Sequence, residues 1–170
     1  PCQALAIVRP ASTEQVSKAL AACHAGGQPV VPMGGLTGLV RGCVAGPGEV
    51  GLSLERMHRV ESVDPINRIM TVEAGVPLQV VQAEAEKHRL LYPVDFGARG
   101  SAHIGGSVAT NAGGNSVVRY GMTRDSVLGL EAVLADGTVI SSMNRMIKNN
   151  AAYDLKQLFI GSEGTLGVIT

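Results

Sequence analysis

The stretch Val31-Pro32-Met33-Gly34-Gly35-Leu36-Thr37-Gly38-Leu39 decides how this chain is read. Pro29 to Met33 is apolar and reads as a strand, and it runs without a spacer into a loop built on three glycines. Upstream, Leu5 to Val8 reads as a short buried strand. Ser12 to Gln15 fits the S-x-x-Q capping box that opens a helix. Val16, Ala19, Leu20 and Cys23 recur at helical spacing, and Gly26-Gly27 ends the run. Strand, helix, strand predicts a βαβ unit whose second strand delivers a glycine loop.

A loop of this kind presents successive backbone N–H groups around a small concavity. Such a nest suits phosphate oxygens, and Thr37 adds a hydroxyl donor. It is not a P-loop, because no Gly-Lys-Ser/Thr ending follows, and it is not the G-x-G-x-x-G turn of dinucleotide-binding βαβ units. Taken alone, an ordinary tight turn after a strand is the competing reading.

Downstream, Val50 to Leu54 predicts a strand. Val60 to Val63 and Ile69 to Val72 predict a hairpin around Asp64-Pro65-Ile66-Asn67. Pro77 suits the first position of a helix whose face is Leu78, Val81, Ala85 and His88. Val127 to Leu134 and Thr138 to Ser141 flank Asp136-Gly137, a strong hairpin signal. Tyr153 to Phe159 predicts a short helix, and Thr165 to Thr170 a strand on which the chain stops. Such an ending is expected of a domain cut from a longer protein.

Two further glycine clusters stand out. Gly97 to Gly114, GARGSAHIGGSVATNAGG, is dominated by small residues, so backbone could lie against an extended ligand along its length. A flexible linker has similar composition. Ile104, Val108 and Ala109 nevertheless keep an apolar spacing, and Arg119-Tyr120-Gly121 follows, which a linker does not require. The third cluster, Gly161-Ser162-Glu163-Gly164-Thr165-Leu166-Gly167, is a turn feeding a strand. His24, His58, His88 and His103 show no metal-ligand spacing, and no catalytic carboxylate pair or nucleophile elbow appears. His103 alone falls inside a glycine tract.

Composition narrows the classes. Glycine makes up 22 of 170 residues, about 13% against a typical ~7%. Hydrophobic residues are 45%, enough for a packed core, and aromatic residues only 3%. Fourteen basic residues balance 14 acidic ones, so neither a nucleic-acid footprint nor a polybasic membrane patch is expected. No apolar run approaches a membrane span. Cys2, Cys23 and Cys43 are odd in number and far apart, which speaks against a disulfide framework or zinc site and for a reducing compartment. A cytoplasmic location is therefore expected, although a chain opening at Pro1 leaves room for an upstream targeting segment.

The combined motifs resemble the FAD domain of the vanillyl-alcohol oxidase and p-cresol methylhydroxylase superfamily. They are Pro32 to Leu39, then Pro93-Val94-Asp95-Phe96-Gly97 with His103-Ile104-Gly105-Gly106-Ser107-Val108-Ala109-Thr110-Asn111-Ala112-Gly113-Gly114, then Tyr153 to Gly167. The resemblance covers nearly the whole chain, and it is strongest to the branch of D-2-hydroxyglutarate, D-lactate and glycolate dehydrogenases. Two places depart from that pattern. Ala151-Ala152 stands where such enzymes often carry Thr-Gly, and Ile147 where an Arg is often found, which leaves the exact substrate open.

The resemblance implies an α+β fold of two lobes with FAD between them: a small βαβ lobe of about residues 1–54, and a larger one of about 60–170 with a mainly antiparallel sheet and helices. It implies FAD contacts from Pro32, Gly34, Gly35, Leu36, Thr37, Gly38 and Leu39 in the first loop, with the pyrophosphate on Gly34 to Gly38. The second segment would add Asp95, Gly97, Ser101, Ile104, Gly105, Gly106, Ala109, Thr110, Asn111, Gly113, Gly114, Tyr120 and Gly121, and the last would add Glu163, Gly164 and Val168. Crowding Gly35 with a larger side chain is expected to expel the cofactor. No catalytic residue or metal ligand is expected here. A following domain would hold the small hydroxy-acid substrate, and an external acceptor would take the electrons. The alternatives are a non-catalytic flavin-binding subunit or electron-transfer partner of a larger complex, and a plain α/β domain without cofactor.

In superfamily members whose flavin is tethered through the first loop, a His stands about where this chain has Leu36. FAD is therefore expected to be non-covalent. Acid precipitation of the full-length protein should release all its flavin into the supernatant; flavin staying with the pellet would contradict this.

Overall fold

The structure, a computed structural model, describes residues 3–170; Cys2 lies outside them. β1 (Ala6–Val8), α1 (Thr13–Ala25), β2 (Val30–Met33) and β3 (Val50–Ser53) form the first unit. The helix starts where the sequence predicts, with Ser12 Oγ accepting from Gln15 N at 3.3 Å. The reciprocal bond is displaced by one residue, because Gln15 Oε1 accepts from Ala11 N at 2.8 Å. Val16 and Leu20 are buried on the predicted face. The sheet order is β1-β3-β2, all parallel. The expected strand–helix–strand connection is present, but its two strands do not touch as a pair: β3 lies between them.

β4 (Val60–Asp64) and β5 (Ile69–Val72) form the antiparallel hairpin. Asp64 Oδ1 accepts from Ile66 N and Asn67 N, which shapes the turn the sequence predicts. α2 (Leu78–Lys87) follows, with Pro77 as its cap rather than its first helical residue, since Pro77 has an extended ψ of 141°. Next come α3 (Ile104–Ala109), α4 (Val117–Tyr120) and α5 (Thr123–Ser126). The Gly97 to Gly114 tract therefore contains a helix and is not a linker. β6 (Leu130–Val133), β7 (Val139–Ser142) and β8 (Val168–Ile169) make an antiparallel sheet of order β7-β6-β8. α6 (Lys156–Phe159) precedes β8 and is shorter than predicted. The fold is α+β, with separate small sheets and, among the described residues, no continuous doubly wound one.

The core joins the sheets. Val16 and Leu20 from α1, Leu52 from β3, Val133 from β6 and Val168 from β8 pack in one cluster with Leu54, Met57 and Ala74. The β6–β7 turn is pinned to α1: Ser17 Oγ donates to Gly137 O at 2.6 Å, and a Cβ on Gly137 would stand 2.8 Å from Ala21 Cβ.

Glu73, buried after β5, is clamped by Arg59. It accepts from Arg59 N at 2.7 Å, Nη2 at 2.8 Å and Nε at 3.1 Å. Burial pushes its pKa up, but the hydrogen bonds and charge of Arg59 outweigh this and hold it below the ordinary 4.5. A depressed folded value means the stabilisation is full above the unfolded value and disappears as pH falls through the folded one. Glu73→Gln should therefore lower stability at neutral pH and flatten the loss of stability below pH ~4.5. Urea unfolding across that range, with wild type alongside, measures both effects; an unchanged acid limb would show that the clamp contributes nothing.

Candidate functional site

A cleft of about 490 Å³ opens between the end of β2 and α3, within the size range of small-molecule sites. Gly34 to Gly38 form one wall, and Gly105, Gly106, Ala109 and Thr110 another, continued by Gly113 and Gly114. Glu163, Gly164 and Val168 close one end. All three glycine clusters thus meet in one place.

The walls are held together by backbone contacts that only glycine permits. A Cβ on Gly35 would stand 1.7 Å from Ser101 O, and one on Gly114 2.1 Å from Asp95 O. A Cβ on Gly105 would stand 2.5 Å from Ala74 Cβ, while Gly105 N donates to Ala74 O at 2.8 Å. Gly38 and Gly106 differ: a Cβ there would meet nothing within 4 Å. Leu36 has a φ of 56°, so the loop turns through the left-handed region without a glycine at that point.

The loop's polar groups face outward from the protein's own bonding. Among the described residues, the N–H groups of Gly34, Gly35, Leu36, Thr37 and Gly38 donate to no backbone acceptor, and neither does that of Gly106. The lining contains no Lys or Arg; its ionisable groups are Cys43, His103 and Glu163. His103 Nδ1 is buried and has no hydrogen-bond partner among the described residues. Burial pushes the His103 pKa below 6.5, against a smaller upward pull from Glu55, which favours neutral imidazole. A row of unpaired amides with no cation beside it suits an anionic group that is bound by dipoles.

The remaining sequence-predicted residues lie off the cleft wall. Leu39 is 96% exposed, whereas Ile104 is buried among Val76, Leu78, Val81 and Val94. Asp95 accepts from Arg99 and Gln82, and these bonds, more than burial, set the carboxyl's lowered pKa. Asn111 Oδ1 accepts from Arg124 N at 3.0 Å. Ser101 supports the loop through its carbonyl against Gly35. Gly97 faces open space. Tyr120 lies under the Arg119 guanidinium, 5.0 Å from the ring centroid. Gly121, with φ 77°, ends α4 against the Asp125 carboxylate. Conversely, Cys43 and Ala74 line the cleft without a sequence signal for that role, whereas Met33, Phe96, His103 and Ser107, which also line it, fall within the segments quoted from the sequence although they are not among the predicted contacts. Among the described residues no group of His, Cys, Asp and Glu could hold a metal ion.

Comparison with known proteins agrees with this geometry. The sequence model of a family described as an FAD binding domain matches residues 4–142. The chain belongs to that family. Its cofactor is FAD. The domain is 48% identical over 165 residues to a D-2-hydroxyglutarate dehydrogenase of Xanthomonas citri pv. viticola, covering 97% of this chain and 35% of that protein. It is 50% identical over 164 residues to a mitochondrial D-2-hydroxyglutarate dehydrogenase of Danio rerio, covering 96% of this chain and 31% of that one. Among solved structures, an alkyldihydroxyacetonephosphate synthase superposes with a TM-score of 0.82 at 26% identity, over 96% of this chain and 32% of that one. The chain spans about a third of the length of the curated relatives it matches.

The residues present fit FAD: free amides for a pyrophosphate, glycine walls for close approach, and an orphaned imidazole nitrogen. The geometry changes how Gly35 is understood. A side chain there strikes Ser101 O before it reaches a ligand, so Gly35→Val should disrupt the fold. Gly106→Val is the cleaner test, because its side chain enters open space at the cleft wall. It should weaken FAD binding at least ~tenfold by steric exclusion while keeping the wild-type melting temperature of the apoprotein. Flavin titration and thermal melts of the full-length protein check this; unchanged affinity would move the cofactor off this wall.

Proposed function

We propose that this chain is the FAD-binding portion of a dehydrogenase that oxidises a small D-2-hydroxy acid, of the D-2-hydroxyglutarate, D-lactate or glycolate type, to the 2-oxo acid. The observation that carries the reading is the likeness, over nearly the whole chain, to proteins named D-2-hydroxyglutarate dehydrogenase. FAD, when bound, supplies the two-electron acceptor for the substrate and passes the electrons to an external carrier. The amides of Gly34 to Gly38 hold the pyrophosphate, and Thr37 adds its hydroxyl. The small residues of α3 and the following turn let the cofactor lie close to backbone. The cofactor sits between a lobe of about residues 1–54 and one of about 60–170. The substrate is bound outside these residues, which span about a third of the length of the curated relatives.

A cytoplasmic location is part of this proposal and rests on the unpaired Cys23 and Cys43, although the zebrafish relative carries the word mitochondrial in its name. None of the described helices is long and apolar enough to cross a membrane.

The test is to supply the full-length protein with FAD, a dye acceptor and each hydroxy acid in turn, beside the 170-residue chain. The full-length protein should reduce dye with at least one substrate, and the shorter chain with none. FAD bound by the full-length protein without any turnover would favour the alternative of a non-catalytic flavin subunit. Turnover by the short chain near the full rate would place the catalytic residues within these positions.

A further inference from the structure

The turn Glu73-Ala74-Gly75-Val76 lies between the two walls of the cleft and is bonded to both. On one side, Gly75 sits against the chain that leaves β3. Its N–H donates to Met57 O at 2.7 Å, and a Cβ on it would stand 2.1 Å from Leu54 O. Leu54 N in turn donates at 3.2 Å to the carbonyl of Met33, the residue that precedes the Gly34 to Gly38 loop. On the other side, Ala74 O accepts from Gly105 N and Val76 O from Ile104 N, each at 2.8 Å. Ile104 and Gly105 open α3, and the next residue is Gly106, whose bare face lines the cleft. Ala74 itself lines the cleft between them. The spacing of the first glycine loop from the α3 wall is therefore set through this turn.

Of these four residues only Glu73 has a side chain that can form hydrogen bonds. It is 6% exposed and takes three bonds from Arg59, from the backbone N, Nε and Nη2. The backbone adds a fourth, Glu73 N donating to Arg59 O at 2.9 Å. A buried carboxylate is a poor source of net stability, because desolvation offsets much of what its pairing gains. Such a clamp supplies direction instead. Charge-assisted bonds to a fork and to the backbone of one residue fix a single register of the turn against the 57–59 segment, which apolar packing alone would not specify. Glu73 is not in the lining, so it acts through its neighbours. We propose that Glu73 is a positioning residue of the FAD site: held by Arg59, it fixes the turn whose Ala74 and Val76 carbonyls place α3, and so sets the distance between the two glycine walls. The inference rests on the reading of the cleft as the FAD site and adds what determines its width.

The test uses the full-length apoprotein and compares wild type with Glu73→Gln, Arg59→Gln, the double variant and Ser17→Ala. Ser17→Ala is the stability control: it removes the bond to Gly137 O, away from the cleft. Each is titrated with FAD and melted thermally, and amide hydrogen exchange is followed at Ile104 and Gly105, with β6 as reference. Glu73→Gln and Arg59→Gln should each lose about fivefold or more in FAD affinity, the size of effect a residue exerts through packed neighbours. The double variant should lose no more than the worse single one, since both act through one clamp. Exchange at Ile104 and Gly105 should quicken in Glu73→Gln while β6 stays protected. Ser17→Ala should lower the melting temperature and keep FAD affinity within about twofold of wild type, as an independent site does. Arg59→Lys, which keeps the charge and the backbone donor but not the fork, gives a milder variant, and its FAD affinity should fall between wild type and Arg59→Gln. Wild-type affinity in both single variants would overturn the proposal, as would unchanged exchange at Ile104 and Gly105, or a loss of affinity in Ser17→Ala that matches its loss of stability. Failure of the wild-type protein to bind FAD would instead defeat the reading of the cleft, and this proposal with it.

Discussion

The cleft exists because separate stretches of backbone approach one another more closely than a methyl group allows. Ser101 O against Gly35, Ala74 against Gly105, and Asp95 O against Gly114 are each contacts that a Cβ would break. The high glycine content is thus explained locally. Some glycines let segments close on one another, and a smaller set, Gly38 and Gly106, leaves the surface bare for a ligand. Glycine costs conformational entropy on folding, and ten of the 22 glycines place that cost around the cleft.

The close approaches would not hold without the packing behind them. One apolar cluster takes residues from α1, β3, β6 and β8, so the elements on either side of the cleft share a core. Gly137 at the β6–β7 turn docks on α1 beside Ser17 and Ala21. Arg124 ties α5 to α6 through Gln157 O and Ile160 O.

What was legible in the sequence was local. The Ser12 cap, the Asp64 turn and the Asp136-Gly137 hairpin all lie where their residue types put them, because each motif satisfies its own backbone within a few residues. The glycine clusters were legible as sites of close approach. The insertion of β3 between β1 and β2 was not, because strand order is set by packing across the sheet and leaves no mark on a single strand. Among polar residues, type does not show which neighbour a side chain will meet. Asn111 and Asp95 look free for a ligand in sequence but are occupied by Arg124 and by Arg99 and Gln82. Cys43 and Ala74 reach the cleft through folding that brings distant segments together, which spacing along the chain does not encode.

The placement of β3 also bears on the order in which the protein takes shape. Strand β3 is third in the chain but central in the sheet, and each of its four residues is buried. Among the described residues, both β1 and β2 pair only with it. A polypeptide emerging from the ribosome amino end first therefore carries β1, α1 and β2 without the strand they both pair with until Ser53 has cleared. Until then it exposes two unpaired strand edges and the apolar stripe of α1, features that invite association with other chains. A nascent chain stalled ahead of β3 would be a client for chaperones, and one stalled just after it would already hold its first sheet.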